Sequence, residues 1–337
     1  MKKIPVSVIT GFLGSGKTTL LSELLNSDNM QNAAIIINEF GEIGIDNLLV
    51  KSSVENTLLL ENGCVCCSIR GDLSDTIAGL FSQVKNQDIP LFDIILIETT
   101  GLAQPGPIVQ TIQTDISINN RCEFDKVITV VDSVSVQQQV QLHQEPSTQI
   151  IQADIIYLSK TDIAKSELIK NAHSIITRLN PSATIINKIS NLQIRETIES
   201  LHFKKNCYIC DHDDHSHEHS HSHKTENHLS DYKNWSLKTK IPLDKEKFLE
   251  WLSTLYSFYP LSILRLKGFV KFEGTSQHFL MQAVGPVFSE LRVVKFHDDE
   301  ANTETSLIII FKDLSSSEIE SSFSKHVLNE KVFRMMG

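Results

Sequence analysis

A chain of 337 residues is long enough to bury at least one full hydrophobic core, and ordinary domain sizes divide it into two units. Apolar residues at 41% and charged residues at 21% exclude wholesale disorder, and no apolar run approaches membrane-spanning length. A formal net charge of −10 excludes nucleic acid as the main partner, because neutralising phosphates needs a basic surface, and it suits a cytoplasmic protein that attracts cations.

The N-terminus MKKIPVSVITGF is basic and then apolar, but it breaks into glycines and a lysine, so it predicts a first strand at 6–10 and no signal peptide. Further strands are predicted at 33–38, 93–98, 127–132, 154–159 and 183–188, all short, β-branched and apolar. Between them TTLLSELL, LSDTIAGLFSQV and IAKSELIKNAHSIITRL carry apolar residues at helical spacing, with Thr161 and Asp162 as the start of the last helix. This alternation predicts an α/β fold, a doubly wound parallel sheet of the P-loop NTPase kind, over residues 1–202. From 203 to 235 hardly any apolar residue remains to offset ordering entropy, which predicts a mobile, His-rich linker. Residues 236–337 predict a smaller α+β domain: strands near WSLKTKIPL, SILRLKGFVKF, HFLMQAVG, RVVKF and SLIIIFK, with helices near KEKFLEWLSTLY and SSEIESSFSKHV.

GFLGSGKT at 11–18 fits the phosphate-loop pattern G-x-x-x-x-G-K-[ST], and it lies between a predicted strand and a predicted helix, the context that gives the motif meaning. Gly11, Gly14, Ser15 and Gly16 let backbone N–H groups close around phosphate oxygens. Lys17 reaches the outer phosphates, Thr18 offers a magnesium ligand, and Thr19 follows on the first helical turn. Glu98, ending the strand IILIE, is the carboxylate expected on the magnesium side. SKTD at 159–162 resembles the guanine-reading N-K-x-D motif, with Lys160 and Asp162 as the base contacts. A carboxylate pairs with the two donors on guanine's edge and is left unpaired by adenine, so the nucleotide is GTP.

Cys64, Cys66 and Cys67 fall within four positions of a chain that has six cysteines. In a reducing compartment such a cluster reads as metal ligands in preference to a disulfide. A glycine-led loop lets three thiolates converge, and the open fourth tetrahedral position suits an ion that is handed on. Seven of the thirteen histidines lie between His212 and His228, five of them alternating in HSHEHSHSH. Cys207 and Cys210, a C-x-x-C, with His212 or His215 are candidates for a second site, and His217, His219, His221 and His223 are further metal-ligand candidates in the tract. Zinc is the default ion for thiolate and imidazole, with cobalt and nickel as alternatives. Cys122, His143, His173, His202, His278, His297 and His326 read as structural or exposed.

With GFLGSGKTT, NEFGEIGID, NGCVCC, ETTGLAQPGPI, SKTD and RLKGFVKF in this order, the chain resembles the CobW-like family of metal-handling GTPases from end to end. The resemblance implies a GTP-driven metallochaperone that passes its ion to a client metalloprotein, related to the GTPases that help insert nickel into urease and hydrogenase. It also implies a switch segment holding Asn38, Glu39 and Glu42, Glu42 being an extra metal ligand, and it leaves a homodimer open. Glu98 replaces a commoner Asp, and Ser159 stands where the family commonly has Asn, which predicts weaker base or loop contacts. A cobalt-handling factor for cobalamin or a cobalt enzyme, and a non-catalytic metal buffer or sensor, are the rival readings.

Overall fold

The computed structural model describes residues 3–25, 32–37, 50–54, 57–60, 65–68, 72–188, 231–289, 291–294 and 304–328, with the strands between 50 and 68 described by backbone alone. The first half alternates β1 (Ile4–Thr10), α1 (Lys17–Leu25), β2 (Ala33–Ile37), β3 (Val50–Val54), β4 (Thr57–Leu60), β5 (Val65–Ser68), α2 (Leu73–Lys85) and β6 (Ile94–Glu98). It continues through α3 (Pro105–Thr114), α4 (Ile116–Asn119), β7 (Cys122–Asp132), α5 (Val136–Leu142), α6 (Glu145–Ile151), β8 (Ile155–Ser159), α7 (Ser166–Leu179) and β9 (Thr184–Ile186). The sheet order is β3-β4-β5-β2-β6-β1-β7-β8-β9, parallel from β5 to β9, with β3 and β4 an antiparallel extension. β1 lies between β6 and β7, where the chain changes sides, which is the switch point at which such sheets bind ligands at their carboxyl ends.

Strands of this sheet are apolar on both faces because helices cover both. Val6 and Val8 of β1 pack with Leu73, Ile77 and Leu80 of α2 and Val109 of α3. Ile9 packs on the other face with Leu20, Leu21 and Leu24 of α1. The hairpin of β3 and β4 is unforeseen in the sequence, because KSSV and TLLL carry neither a turn signature nor a clean alternation.

The second half forms β10 (Tyr232–Thr239), α8 (Lys245–Phe258), β11 (Ile263–Lys271), β12 (His278–Val284), β13 (Val287–Phe288), β14 (Arg292–Val294), β15 (Thr305–Lys312) and α9 (Ser316–His326). Its sheet runs β10-β15-β11-β12-β13, with β14 on β12, and every pairing is antiparallel. β10 begins at Tyr232, inside the stretch read as linker, and residues 203–230 of that stretch lie outside the described residues. Both helices cover one face of the sheet, where Trp235, Phe248, Trp251 and Phe323 stack at ring distances of 5.1–6.5 Å.

The two sheets share a core. Leu264, Ile308 and Ile310 of the second pack with Ile150, Ile151 and Ala153 of the first. Beside them Asp154, at the amino end of β8, accepts from Arg265 Nη2, from Lys267 Nζ at 3.0 Å and from the Val127 N–H at 2.9 Å. Burial pushes the Asp154 carboxyl up, but the charges of Arg265 and Lys267 and the Val127 N–H outweigh it and hold the group below the ordinary carboxylate range.

Candidate nucleotide and metal site

The loop after β1 turns by a Ser15 N–H to Phe12 carbonyl bond of 3.1 Å and enters α1 with Leu20 N–H on the Gly16 carbonyl at 2.9 Å. Gly16 has φ +97°, a conformation that a residue with a Cβ adopts only under strain. Lys17 is buried and its Nζ donates to the Gly11 carbonyl at 3.0 Å, so the ammonium lies folded over the loop's own backbone. Thr18 Oγ1 donates to Glu98 Oε1 at 3.1 Å. β1 and β6 are neighbours, and Thr99 Oγ1 bonds to Thr10 Oγ1 at 2.8 Å, which fixes the register that brings these two side chains together. Thr19 is exposed on the first turn of α1.

These groups fit a magnesium-bound triphosphate. Ser15 Oγ is fully buried in the loop and has no hydrogen-bond partner among the described residues, which is what a phosphate oxygen would satisfy. The Thr18 hydroxyl and Glu98 carboxylate are adjacent hard oxygen donors, the set magnesium takes. Bound there, magnesium would neutralise charge on the outer phosphates.

The guanine-type motif lies at the carboxyl end of β8. Ser159 Oγ donates to the Ser15 carbonyl at 2.6 Å, so the tie between this motif and the phosphate loop is present although the residue is not Asn. Lys160 has φ +56°, and its Nζ pairs with Asp132 Oδ2 at 2.7 Å. Asp132 ends β7 and also accepts from the Val134 N–H at 2.8 Å and the Ser135 hydroxyl at 3.0 Å. Burial pushes its carboxyl up, yet Lys160 and these hydrogen bonds hold it below the ordinary range. Thr161 and Asp162 do not start a helix. They lie in a turn, Asp162 exposed, and α7 begins only at Ser166, so the carboxylate is left open to a base. Asp132 was missed in the sequence; a carboxylate ending the strand VITVVD beside the P-loop strand was the available signal.

The cysteine cluster was read as a loop, but residues 65–68 are a strand. β5 has a ladder on each side, pairing Cys66 with Ile35 and Leu58 and Cys67 with Ile36 and Thr57. Pairing with the unforeseen hairpin draws this short segment into the sheet. Ile37 at the end of β2 is the register partner of both Ser68 and Glu98, so β5 and β6 end level, roughly 10 Å apart by ordinary strand spacing. Cys64, Glu42, Asn38, Glu39, Cys207, Cys210, His212, His215, His217, His219, His221 and His223 lie outside the described residues. Among the described residues no three His, Cys, Asp or Glu side chains gather as a metal cage. Cys122 is buried at the start of β7, and burial pushes its thiol up to about 11, as for an unreactive structural cysteine. His278 is buried, while His173 and His326 are exposed.

Residues 5–187 match the family model described as CobW/HypB/UreG, nucleotide-binding domain, and residues 232–327 match that of the cobalamin synthesis protein cobW C-terminal domain. The chain belongs to the CobW/HypB/UreG family. Within this family it is 29% identical over 324 residues to the zinc chaperone YjiA of Escherichia coli, covering 96% of this chain and 99% of that one. It is 32% identical over 355 residues to the zinc chaperone CobW of Pseudomonas aeruginosa, covering 95% and 90%. The crystal structure of Zn(II)-bound YjiA GTPase from E. coli superposes with a TM-score of 0.72 at 29% identity, covering 97% of this chain and 99% of that one. The likeness to YjiA therefore extends through both sheets, the first matched by the nucleotide-binding domain and the second by the cobW C-terminal domain. No described helix is long and apolar enough to cross a membrane.

Proposed function

We propose that this chain is a GTP-hydrolysing zinc metallochaperone that loads its ion at Cys64, Cys66 and Cys67 and couples the GTP cycle to transfer of that ion to a client metalloprotein. The observation that carries the reading is the contact of Thr18 with Glu98, which joins phosphate loop and second acidic motif at the carboxyl edge of a parallel sheet. The zinc chaperone names of its relatives support the choice of cargo. On this reading Lys17 leaves the Gly11 carbonyl for the outer phosphates, Ser15 Oγ and the loop N–H groups take phosphate oxygens, and Asp162 accepts from guanine over the stem of Lys160.

Coupling rests on the sheet. β2, whose last residue Ile37 precedes the proposed switch residues 38–46 in sequence, ends between β5, which carries Cys66 and Cys67, and β6, which carries Glu98. A segment anchored there feels both the outer phosphate and the cargo, so loss of the phosphate on hydrolysis loosens the ion's site. The unit 1–202 carries this chemistry, 203–235 gathers metal through its histidines, and 236–337 completes the chaperone.

The test is single-turnover GTP hydrolysis with zinc, cobalt, nickel or no added metal, comparing the wild type with the Cys64→Ala, Cys66→Ala, Cys67→Ala triple variant. Zinc-dependent turnover that the triple variant loses is the expected result. A response to cobalt alone makes cobalt the cargo, and turnover indifferent to metal in both proteins refutes the coupling.

A further inference from the structure

The segment leaving β6 after Glu98 runs over the phosphate loop before α3 begins. Gly101 comes so near that a Cβ there would stand 2.5 Å from Leu13 Cδ2 and 2.9 Å from the Leu13 backbone nitrogen. Backbone is packed on backbone, so a small displacement of 101–103 changes the mouth of the nucleotide site. The phosphate loop wraps the inner phosphates in its own N–H groups, which leaves the outermost one to whatever closes over the loop from this side.

The segment is held from behind by α6. Gln149, 1% exposed, donates its side-chain amide to the Gly101 carbonyl at 3.1 Å and the Ala103 carbonyl at 2.9 Å. Gln152 accepts from the Gly106 N–H at 3.0 Å, which fixes the entry to α3. α6 is itself pinned: Thr129 Oγ1 donates to the Gln149 carbonyl at 2.8 Å, and Asn180 Nδ2 donates to the Ile150 and Ile151 carbonyls at 2.8 and 2.9 Å. Gln149 Oε1 has no hydrogen-bond partner among the described residues. A residue that only filled space here would be apolar, because a buried acceptor left unsatisfied is costly. What the polar side chain supplies is its two amide donors, and both go to one short loop.

We infer that Gln149 is a positioning residue for GTP cleavage: it holds the 101–103 backbone at the height where that loop meets the third phosphate. The inference rests on the reading of the site as a GTPase and adds to it a residue 48 positions away in sequence from the loop it fixes. Its signature is selective. The Gln149 amide bonds go to the Gly101 and Ala103 carbonyls and not to the base motif or the cradle of the inner phosphates, so the diphosphate state should depend on it little.

The experiment uses the full chain with Gln149→Met, which keeps length and burial but has no donor, and Gln149→Asn, whose amide is one methylene short. Fluorescent GDP and a non-hydrolysable GTP analogue are titrated against each protein, with GTP turnover and thermal melting alongside. The expected result for the Met variant is GDP affinity within about twofold of wild type, with analogue affinity and kcat each lower by about tenfold. The Asn variant shows the same split at smaller size, and it decides the matter if the Met variant does not fold. Equal losses for GDP and analogue, or no change in either with normal turnover, overturn the inference. A wild type that does not hydrolyse GTP fails earlier and overturns the GTPase reading instead.

Discussion

The two ends of β8 put charge to opposite uses. At the carboxyl end Lys160 pairs with Asp132, and the lysine side chain remains 37% exposed. At the amino end Asp154 holds Arg265 and Lys267 with the arginine fully sealed. An ion pair open to water exchanges partners at little cost, which is what a nucleotide site needs. A sealed one resists exchange, because separating it strands a charge away from water, and it specifies how two sheets dock. One strand of five residues thus has a partly open ion pair at one tip, where the nucleotide site is proposed, and a sealed one at the other.

The strongest way to break this contrast is at the sealed end. Asp154→Asn keeps an acceptor for the Val127 N–H but leaves Arg265 and Lys267 without their shared carboxylate. Urea unfolding should show a loss of about 3–5 kcal/mol, while the folded fraction keeps its nucleotide affinity. Because the Asp154 pKa is lower folded than unfolded, the cluster's contribution is complete above about pH 4, the ordinary unfolded value, and is lost as pH falls through the folded value. Acid unfolding should therefore be steeper in the wild type than in Asp154→Asn below that pH. Equal acid profiles would show that the cluster is not what holds the sheets.

At the open end the prediction is reversed. Lys17→Ala should lower GTP turnover by about 10²–10³-fold, the range for removing a fixed electrostatic contact to a transferring group, with melting little changed. Ser159→Ala removes the 2.6 Å tie to the phosphate loop, and GDP and GTP analogue should both bind about five- to tenfold more weakly. Loss of both nucleotides together distinguishes Ser159 from Gln149, whose substitution should spare GDP.

How much of this was legible in the sequence follows the same division. That the P-loop, Glu98 and SKTD stand at the carboxyl ends of strands was readable because each closes a short, β-branched apolar run; the roles proposed for them are what these variants test. The parallel strands β1, β2, β6, β7 and β8 were readable from their unbroken apolar runs. The hairpin of β3 and β4 was not, nor was β5 as a strand. VCCS acquires its conformation from ladders on both sides, and no residue in it announces them. Asp132, Gln149 and Arg265 were equally silent. A side chain that acts by holding a distant backbone or carboxylate has no spacing rule, and only the fold discloses its partner.

The smallest test asks whether the second domain's own stability reaches the nucleotide edge. α9 starts with a capping box: Ser315 Oγ accepts from the Glu318 N–H at 3.2 Å, and Glu318 Oε2 accepts from the Ser315 N–H at 2.8 Å. The helix then places Ser322 against Trp251 Nε1 at 3.1 Å, so fraying its start loosens the aromatic core under the sheet. Ser315→Ala should cost about 1 kcal/mol by denaturant unfolding. The core involved lies on the face of the second sheet that carries α8 and α9, and α3 and α6 of the first unit touch β11, β12 and β13 instead. GTP turnover and the ratio of GTP-analogue to GDP affinity should therefore stay at wild-type values. A shift in that ratio would mean that the second domain acts on the 101–103 loop through α3 and α6, and the division between a chemical edge and an architectural edge would have to be redrawn.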